Sequence, residues 1–208
     1  LHVEDTQDVT VTDAAGLEDS AIALNIDAGM ADTVTISDVP DGAVLSAGTD
    51  NNDGTWTLDV AAGDLTGLTI TPPADSSVDF TLSVTADGVT ESLNIDLTGD
   101  ADTPTLTMTT GAGDEDTAIA LDITSGLTDT DGSETLSVNI SDIPEGSTLM
   151  SGGVEITVTN GIAEIDPSQL ADLTITPPTD YNGSFDLTVT STATEADGDT
   201  ATSTGTLT

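Results

Sequence analysis

Leu68-Thr-Ile-Thr-Pro-Pro73 recurs 105 positions later as Leu173-Thr-Ile-Thr-Pro-Pro178. Both copies alternate an apolar residue with threonine and then stop on two prolines. The alternation is the period of a half-buried β-strand, and proline cannot donate to a β-ladder. Each copy therefore reads as a short strand with an abrupt end. Because it occurs twice, the whole chain has to be read as a repeat.

Working outward, Phe80-Thr-Leu-Ser-Val84 matches Phe185-Asp-Leu-Thr-Val189 at the same offset. Ile36-Ser-Asp-Val-Pro40 matches Ile140-Ser-Asp-Ile-Pro144 at an offset of 104, and Leu17–Leu24 matches Asp114–Leu121 at 97. The changing offset places insertions in the second copy, at Thr130–Leu136 and between Ser191 and Ala196. Val9-Thr-Val11 aligns with Leu106-Thr-Met108, and Thr98 with Thr208. The expected organisation is a repeat over 1–99 (with an entering linker, 1–7), a joint over 100–103 and a second repeat over 104–208. The reading is of two complete units cut from a tandem array within a longer protein.

Each unit reads as antiparallel β. Two-residue alternation runs through Ile119/Leu121/Ile123, Leu136/Val138/Ile140, Phe185/Leu187/Val189 and Leu93/Ile95/Leu97, and these residues are the expected core. Pro40-Asp-Gly42, Asn52-Asp-Gly54, Pro144-Glu-Gly146 and Asn182-Gly183 are turn signals. Seven or so short strands at roughly ten-residue spacing predict an immunoglobulin-like sandwich. The fold class expected is all-β: two tandem immunoglobulin-like (cadherin-like) antiparallel β-sandwich domains. The one helical signal is a single turn at Pro167–Ala171, with Ala62–Leu65 opposite it in the first repeat.

Charge narrows the function. Of 208 residues 39 are Asp or Glu and none is Lys or Arg, for a net charge of −39. Such a chain has nothing with which to neutralise phosphates, so nucleic acid is excluded as a partner, and so is an anionic membrane surface. No apolar run is long enough to insert in a membrane. The acids are dispersed among Val, Ile, Leu and Thr, and 36% of residues are hydrophobic, which favours a folded chain over a disordered one. There is no Cys, and His2 is the one histidine, so neither a Ser-His-Asp set nor a zinc site can be assembled. An enzyme is not expected. Trp56 and Tyr181 read as packing residues beside turns.

With no basic side chain to pair with, the carboxylates are either solvated or gathered around cations. Asp129-Thr-Asp-Gly-Ser-Glu134 is the strongest local pattern. Two carboxylates two residues apart, a glycine for a tight turn and then a glutamate suit a hard ion such as calcium, which takes six to eight oxygens. Glu195-Ala-Asp-Gly-Asp199, the joint acids Asp100 and Asp102, and Gly113-Asp-Glu-Asp116 with its match Gly16-Leu-Glu-Asp19 are further candidates. The sandwich topology predicts that Glu195–Asp199 lies at the pole where the chain enters, near Asp100 and Asp102. It is read as placing Asp129–Glu134 at the opposite pole, facing a following repeat. The first repeat lacks the Asp129–Glu134 insertion and is expected to hold fewer ions. Asp50-Asn-Asn-Asp-Gly54 reads first as a hairpin turn, with calcium as the alternative.

Gly113-Asp-Glu-Asp-Thr-Ala-Ile-Ala-Leu121, Asp129–Glu134, Leu173–Pro178 with Asp180-Tyr-Asn-Gly183, Thr194-Glu-Ala-Asp-Gly-Asp199 and Gly48–Leu58 resemble the tandem domains of giant RTX adhesins of Gram-negative bacteria. The resemblance implies calcium-stabilised extender domains that project a distal ligand-binding domain for adhesion and biofilm formation. It implies type I secretion to the cell surface, outer-membrane anchoring, and neighbouring repeats as the partners of a monomeric, extended array. It also implies Ca2+ at and near junctions, carried here onto Asp100, Asp102, Glu115, Asp116, Asp129, Asp131, Glu134, Asp197 and Asp199. The alternative reading is a glycan- or protein-binding module of the same kind of adhesin, or an appended domain of a secreted hydrolase.

Overall fold

The computed structural model describes residues 8–208; the entering linker 1–7 and His2 lie outside them. The chain forms two compact units, Leu1–Asp100 and Ala101–Thr208. The first contains β1 (Thr10–Thr12), β2 (Ala14–Leu17), β3 (Ile22–Ala23), β4 (Asn25–Asp27), β5 (Thr33–Ser37), β6 (Val44–Leu45), β7 (Thr49–Asp50), β8 (Trp56–Asp59), β9 (Thr69–Thr71), β10 (Phe80–Ala86) and β11 (Val89–Thr98). The second contains β12 (Thr105–Thr109), β13 (Ile119–Ala120), β14 (Asp122–Gly126), β15 (Thr135–Ser141), β16 (Thr148–Ser151), β17 (Val154–Ile156), β18 (Ala163–Ile165), β19 (Leu173–Thr176), β20 (Leu187–Thr194) and β21 (Thr200–Leu207). The expected seven strands per unit are present as a larger number of shorter pieces, because bends divide several of them.

Both units are β-sandwiches. In the first, a sheet ordered β2-β11-β10-β5-β8-β7 faces one ordered β3-β9-β6, with β1 paired to β4. In the second, β18-β15-β20-β21 faces β13-β19-β16-β17, with β12 paired to β14. The stretch Leu68–Pro73 supplies β9 and its counterpart Leu173–Pro178 supplies β19. Each is an inner strand of its sheet, with Ile70 and Ile175 buried in the core.

Alternation does the packing. Along β20, Leu187, Val189, Ser191 and Ala193 are buried, while Thr188, Thr190, Thr192 and Thr194 lie on the other face. Those threonines stand opposite Thr206, Thr204, Thr202 and Thr200 of β21. The β-branched residues thus serve the ladder on one side and leave hydroxyls on the other. Each unit has its own core, with Val34, Ile36, Leu58, Leu82, Val84 and Leu93 fully buried in the first and Val138, Ile140, Leu149 and Val189 in the second.

The predicted helical turn is a 3₁₀ segment, Pro167–Asp172, in the second unit. Asp166 caps it: its side chain accepts from Ser168 N at 2.9 Å while Gln169 Oε1 accepts from Asp166 N at 3.1 Å. The Ser168 hydroxyl donates to Asp166 Oδ1 as well, at 2.5 Å, and this bond together with that from Ser168 N holds the Asp166 carboxyl below its ordinary range. The first unit has only turns over the corresponding stretch. The Asp50–Gly54 loop is a hairpin turn between β7 and β8. Asn52, at φ +59°, donates to Asp50 Oδ1, and Thr55 donates to Asp53 Oδ1. Those carboxylates are occupied in shaping the turn, as Asx residues do.

Candidate metal centre

Strand register fixes which loops of the second unit share a pole. Thr105 opens β12 opposite Gly126, the last residue of β14. Thr135 opens β15 opposite Thr194, which in turn faces Thr200. The pole where the chain enters therefore carries the joint after Ala101, the Asp129–Glu134 loop and the Glu195–Asp199 loop. This corrects the sequence reading that sent Asp129–Glu134 to the far pole. β14 runs back antiparallel to β12, so the loop that follows it returns to the near end. The loop at the far end is the earlier one, which carries Glu115 and Asp116.

At this near pole three carboxylates are buried: Asp129 at 2%, Glu134 at 6% and Glu195 at 5% exposure. Asp129 Oδ1 accepts from Asp131 N at 2.8 Å, and Asp131 Oδ1 accepts from Ser133 N at 2.6 Å, so the loop is wound around its own acids. The Ser133 hydroxyl lies 3.1 Å from Asp129 Oδ2 and 3.0 Å from Glu195 Oε1 and links the two loops. Asp102 donates its backbone N–H to Glu134 Oε1 at 2.7 Å, and Ala101 donates to Asp199 Oδ2 at 3.4 Å. The joint is thus tied to both loops. Asp199 in turn donates its N–H to Asp197 Oδ1, and both of these acids are exposed.

Glu134 Oε2 is buried without a hydrogen-bond partner among the described residues. Burial pushes the Glu134 carboxyl up from its ordinary 4.5, against the hydrogen bond from Asp102, and the neighbouring charges of Asp129, Glu195 and Asp102 push the same way. An ionised oxygen withdrawn from water and surrounded by like charges is costly, on the order of several kcal/mol, unless a cation or a proton meets it. The protein has no Lys or Arg to do so. The donors on offer are carboxylate and hydroxyl oxygens, with neither nitrogen nor sulfur. That set fits a hard divalent ion of the calcium type and does not fit zinc or copper. Asp129 and Asp131 bring carboxylate oxygens within 4.8 Å of one another and are placed to share it, with Glu134 and Glu195 as the buried charges beside them.

The other candidate residues sit elsewhere. Asp100 belongs to the first unit and donates its N–H to Glu18 Oε1 at 2.9 Å. Glu115 and Asp116 are exposed at the far pole of the second unit, where Asp116 Oδ1 accepts from Asp180 N at 3.0 Å. The first unit repeats that clasp between Asp19 and Asp75 N, also at 3.0 Å. All four aspartates have positive φ, so the clasp is a shared backbone device. Glu195 is the centre residue that the family resemblance did not carry over. Its signal in the sequence was its position as the first residue after the long β20.

The near pole of the first unit is closed differently. Val9, Ala28, Ala31 and Ala86 are buried there, and the short turn after β4 is held by Gly29 N donating to Asp27 Oδ1. Methyl groups occupy the end of the first sandwich where carboxylates occupy the end of the second. Loop length decides this, because the first unit lacks both insertions.

The two sandwiches define the class of protein: tandem immunoglobulin-like and cadherin-like β-domains. Among solved structures, the chain is similar to protocadherin gamma B2 extracellular cadherin domains 3–6, at 13% identity and a TM-score of 0.43, over 94% of this chain and 43% of that one. It is similar to the Yersinia pseudotuberculosis adhesin InvE at 13% identity and a TM-score of 0.29, over 96% of this chain and 58% of that one. Titin domains z1z2 match at 15% identity and a TM-score of 0.28, over 97% and 96%. The chain thus spans less than half of the protocadherin and about three-fifths of InvE. No protein-family profile and no curated sequence matches the chain. Among the described residues no helix is long and apolar enough to cross a membrane.

Proposed function

We propose that the two units are calcium-stabilised spacer repeats of a bacterial cell-surface adhesin of the RTX kind, without catalytic activity. Their task is to hold a distal ligand-binding domain away from the cell. Ca2+ is the cofactor, neighbouring repeats of the same chain are the partners, and the site of action is outside a Gram-negative cell after type I secretion. The single observation that carries the reading is the cluster of buried acids Asp129, Glu134 and Glu195, whose charge no Lys or Arg is present to offset. The ion would supply that missing positive charge. Asp129 and Asp131 would hold it beside Glu134 and Glu195, and Asp102 would tie the joint to it.

Low calcium inside a bacterium and high calcium outside suit such a chain. Its acids repel one another during export, and ion binding adds stability by mass action once the chain is outside. Differential scanning calorimetry in millimolar calcium and again in chelator tests the proposal. A rise of tens of degrees in one of two transitions is expected. Coincident curves at constant ionic strength would reduce the centre to a solvated acidic pole and remove calcium from the proposal.

A further inference from the structure

Two asparagines of the chain precede glycine, in Asn160-Gly161 and Asn182-Gly183. An asparagine amide can be attacked by the backbone nitrogen of the residue that follows it, and glycine, without a Cβ, hinders that approach least. Asn25, Asn94 and Asn139 are each followed by isoleucine, whose branched side chain crowds the same nitrogen, and all three lie in strands. The fold treats the two glycine pairs differently.

Asn160-Gly161 is fixed. Both residues have positive φ, +52° and +78°, as the two central residues of a tight hairpin turn. Thr159 N donates to Ile162 O at 2.8 Å and Ile162 N donates to Thr159 O at 3.1 Å, so the turn is closed at both ends. Gly161 O accepts from Ile143 N at 3.0 Å, which ties the turn to the body of the sandwich. The ring that would join Asn160 Cγ to the next nitrogen needs the backbone between the two residues to rotate, and these three bonds oppose that rotation.

Asn182-Gly183 is held by much less. The pair lies in an irregular stretch between Asp180 and β20, and Asn182, Gly183 and Ser184 are all exposed. Among the described residues neither Asn182 nor Gly183 makes a hydrogen bond, so the Gly183 nitrogen and the Asn182 amide are both available. Gly183 and Ser184 form part of the wall of a cavity of about 280 Å3, opposite Leu207, which gives the loop room to rotate. The fixed points lie on either side of the pair. Tyr181 N donates to Pro178 O at 3.0 Å, the Tyr181 hydroxyl donates to Ser184 O at 3.0 Å, and the Tyr181 ring meets Phe185 edge-on at 5.8 Å.

We propose that Asn182 is a site of spontaneous deamidation and that the fold confines the reaction to it, so that the charge of the second unit records the age of the folded chain. The Gly183 nitrogen bonds to Asn182 Cγ, the Cγ–Nδ2 bond breaks, and Nδ2 leaves as ammonia with the proton that the Gly183 nitrogen gives up. Water then opens the cyclic imide at either of its carbonyls and leaves aspartate or isoaspartate. Nothing is oxidised or reduced, and water is the one co-reactant. Either product adds a negative charge near Asp180 and Asp186, in a protein with no Lys or Arg to answer it. Isoaspartate also lengthens the backbone by one methylene inside the stretch that the Tyr181–Ser184 bond closes. The site lies beside the Asp116–Asp180 clasp, at the pole away from Asp129 and Glu134, and depends on no metal.

Ageing the whole chain at mildly alkaline pH, folded and in denaturant, tests the proposal. Mass spectrometry reads amide-to-acid conversion in peptides cut at aspartate and aromatic residues, since the chain has no Lys or Arg for trypsin. Enzymatic methylation of isoaspartate reads the second product. In the folded chain Asn182 should convert while Asn160 keeps its amide, and in denaturant both should convert. Gly183→Ala should lose most of the conversion at Asn182. A Cβ there would come no nearer than 3.4 Å to Tyr181, and the residue's φ is not positive, so this variant keeps the fold. The proposal is overturned if the folded chain converts Asn160 as fast as Asn182, if it keeps Asn182 while the denatured chain loses it, or if Gly183→Ala converts at the unsubstituted rate.

Discussion

Asp102 gives its backbone N–H to Glu134 Oε1 across 2.7 Å, while the second oxygen of the same carboxylate is buried with no donor. One side chain thus fastens the incoming chain to the second sandwich and offers an unmet negative charge. Both roles depend on the Thr130–Leu136 insertion, which the first repeat lacks.

Glu134→Gln separates the two roles. Losing the charge relieves a buried repulsion, so in chelator the second unit should gain about 1 kcal/mol, or roughly 4–8 °C for a domain of this size. The calcium-induced rise of the same transition should shrink or vanish. Calorimetry with and without calcium reads both effects. A loss of stability in chelator would show that the charge is already neutralised there.

Asp131→Ala with Glu134→Ala should lower the calcium-bound melting temperature of the second unit and spare the first. Losing an ion present at a hundred times its dissociation constant removes about 2.7 kcal/mol. Equal losses in both transitions would contradict the placement of the centre in one repeat.

The raised Glu134 carboxyl sets the pH dependence without calcium. A carboxyl raised in the folded state stabilises most below its unfolded value, 4.5, and that contribution is lost as pH rises through the folded value. In chelator, the second transition should therefore fall as pH rises above about 4.5 toward neutrality. With calcium present the trend should reverse, because protons compete for the same oxygens. Asp13 acts in the opposite sense. Its Oδ1 accepts from Asn94 N at 2.9 Å and from Asn94 Nδ2 at 3.1 Å, bonds that hold the carboxyl below its ordinary range. The lowered carboxyl stabilises the first unit above the ordinary 3.8, and that help is lost as pH falls through the lower folded value. Melts across this range, with both transitions followed separately, check both signs.

Core truncation assigns the transitions. Leu82 and Leu149 are fully buried in separate cores. Leu82→Ala should cost about 2–5 kcal/mol in the first transition alone, and Leu149→Ala a similar amount in the second. Either variant shifting both transitions would mean that the units melt as one.

Sandwich architecture was legible because Leu68–Pro73, Phe80–Val84 and their second copies carry strict alternation, and alternation directly encodes which side faces inward. The single turn at Pro167 was legible because proline, a capping aspartate and Gln169 follow one another at cap spacing. The pole of Asp129–Glu134 was misread because it depends on the direction of β14, and strand direction comes from counting every reversal, including the irregular loop before Ile119. Glu195 was underweighted because burial of an acid is a tertiary fact. Its residue type alone points to solvent, and only the length of the β20–β21 hairpin brings it beneath Ser133.

The contrast between Ala28 and Ala31 in one repeat and Asp129 and Glu134 in the other has a further consequence. A sandwich end finished in methyl groups is indifferent to its medium, whereas one finished in ionised oxygens reports on it. Lengthening two loops is enough to convert one kind of link into the other without touching either core. In an array of the proposed kind, links of either sort could be laid out in whatever order the loops dictate, and its response to a changing ionic medium would be written in the sequence of its loop lengths.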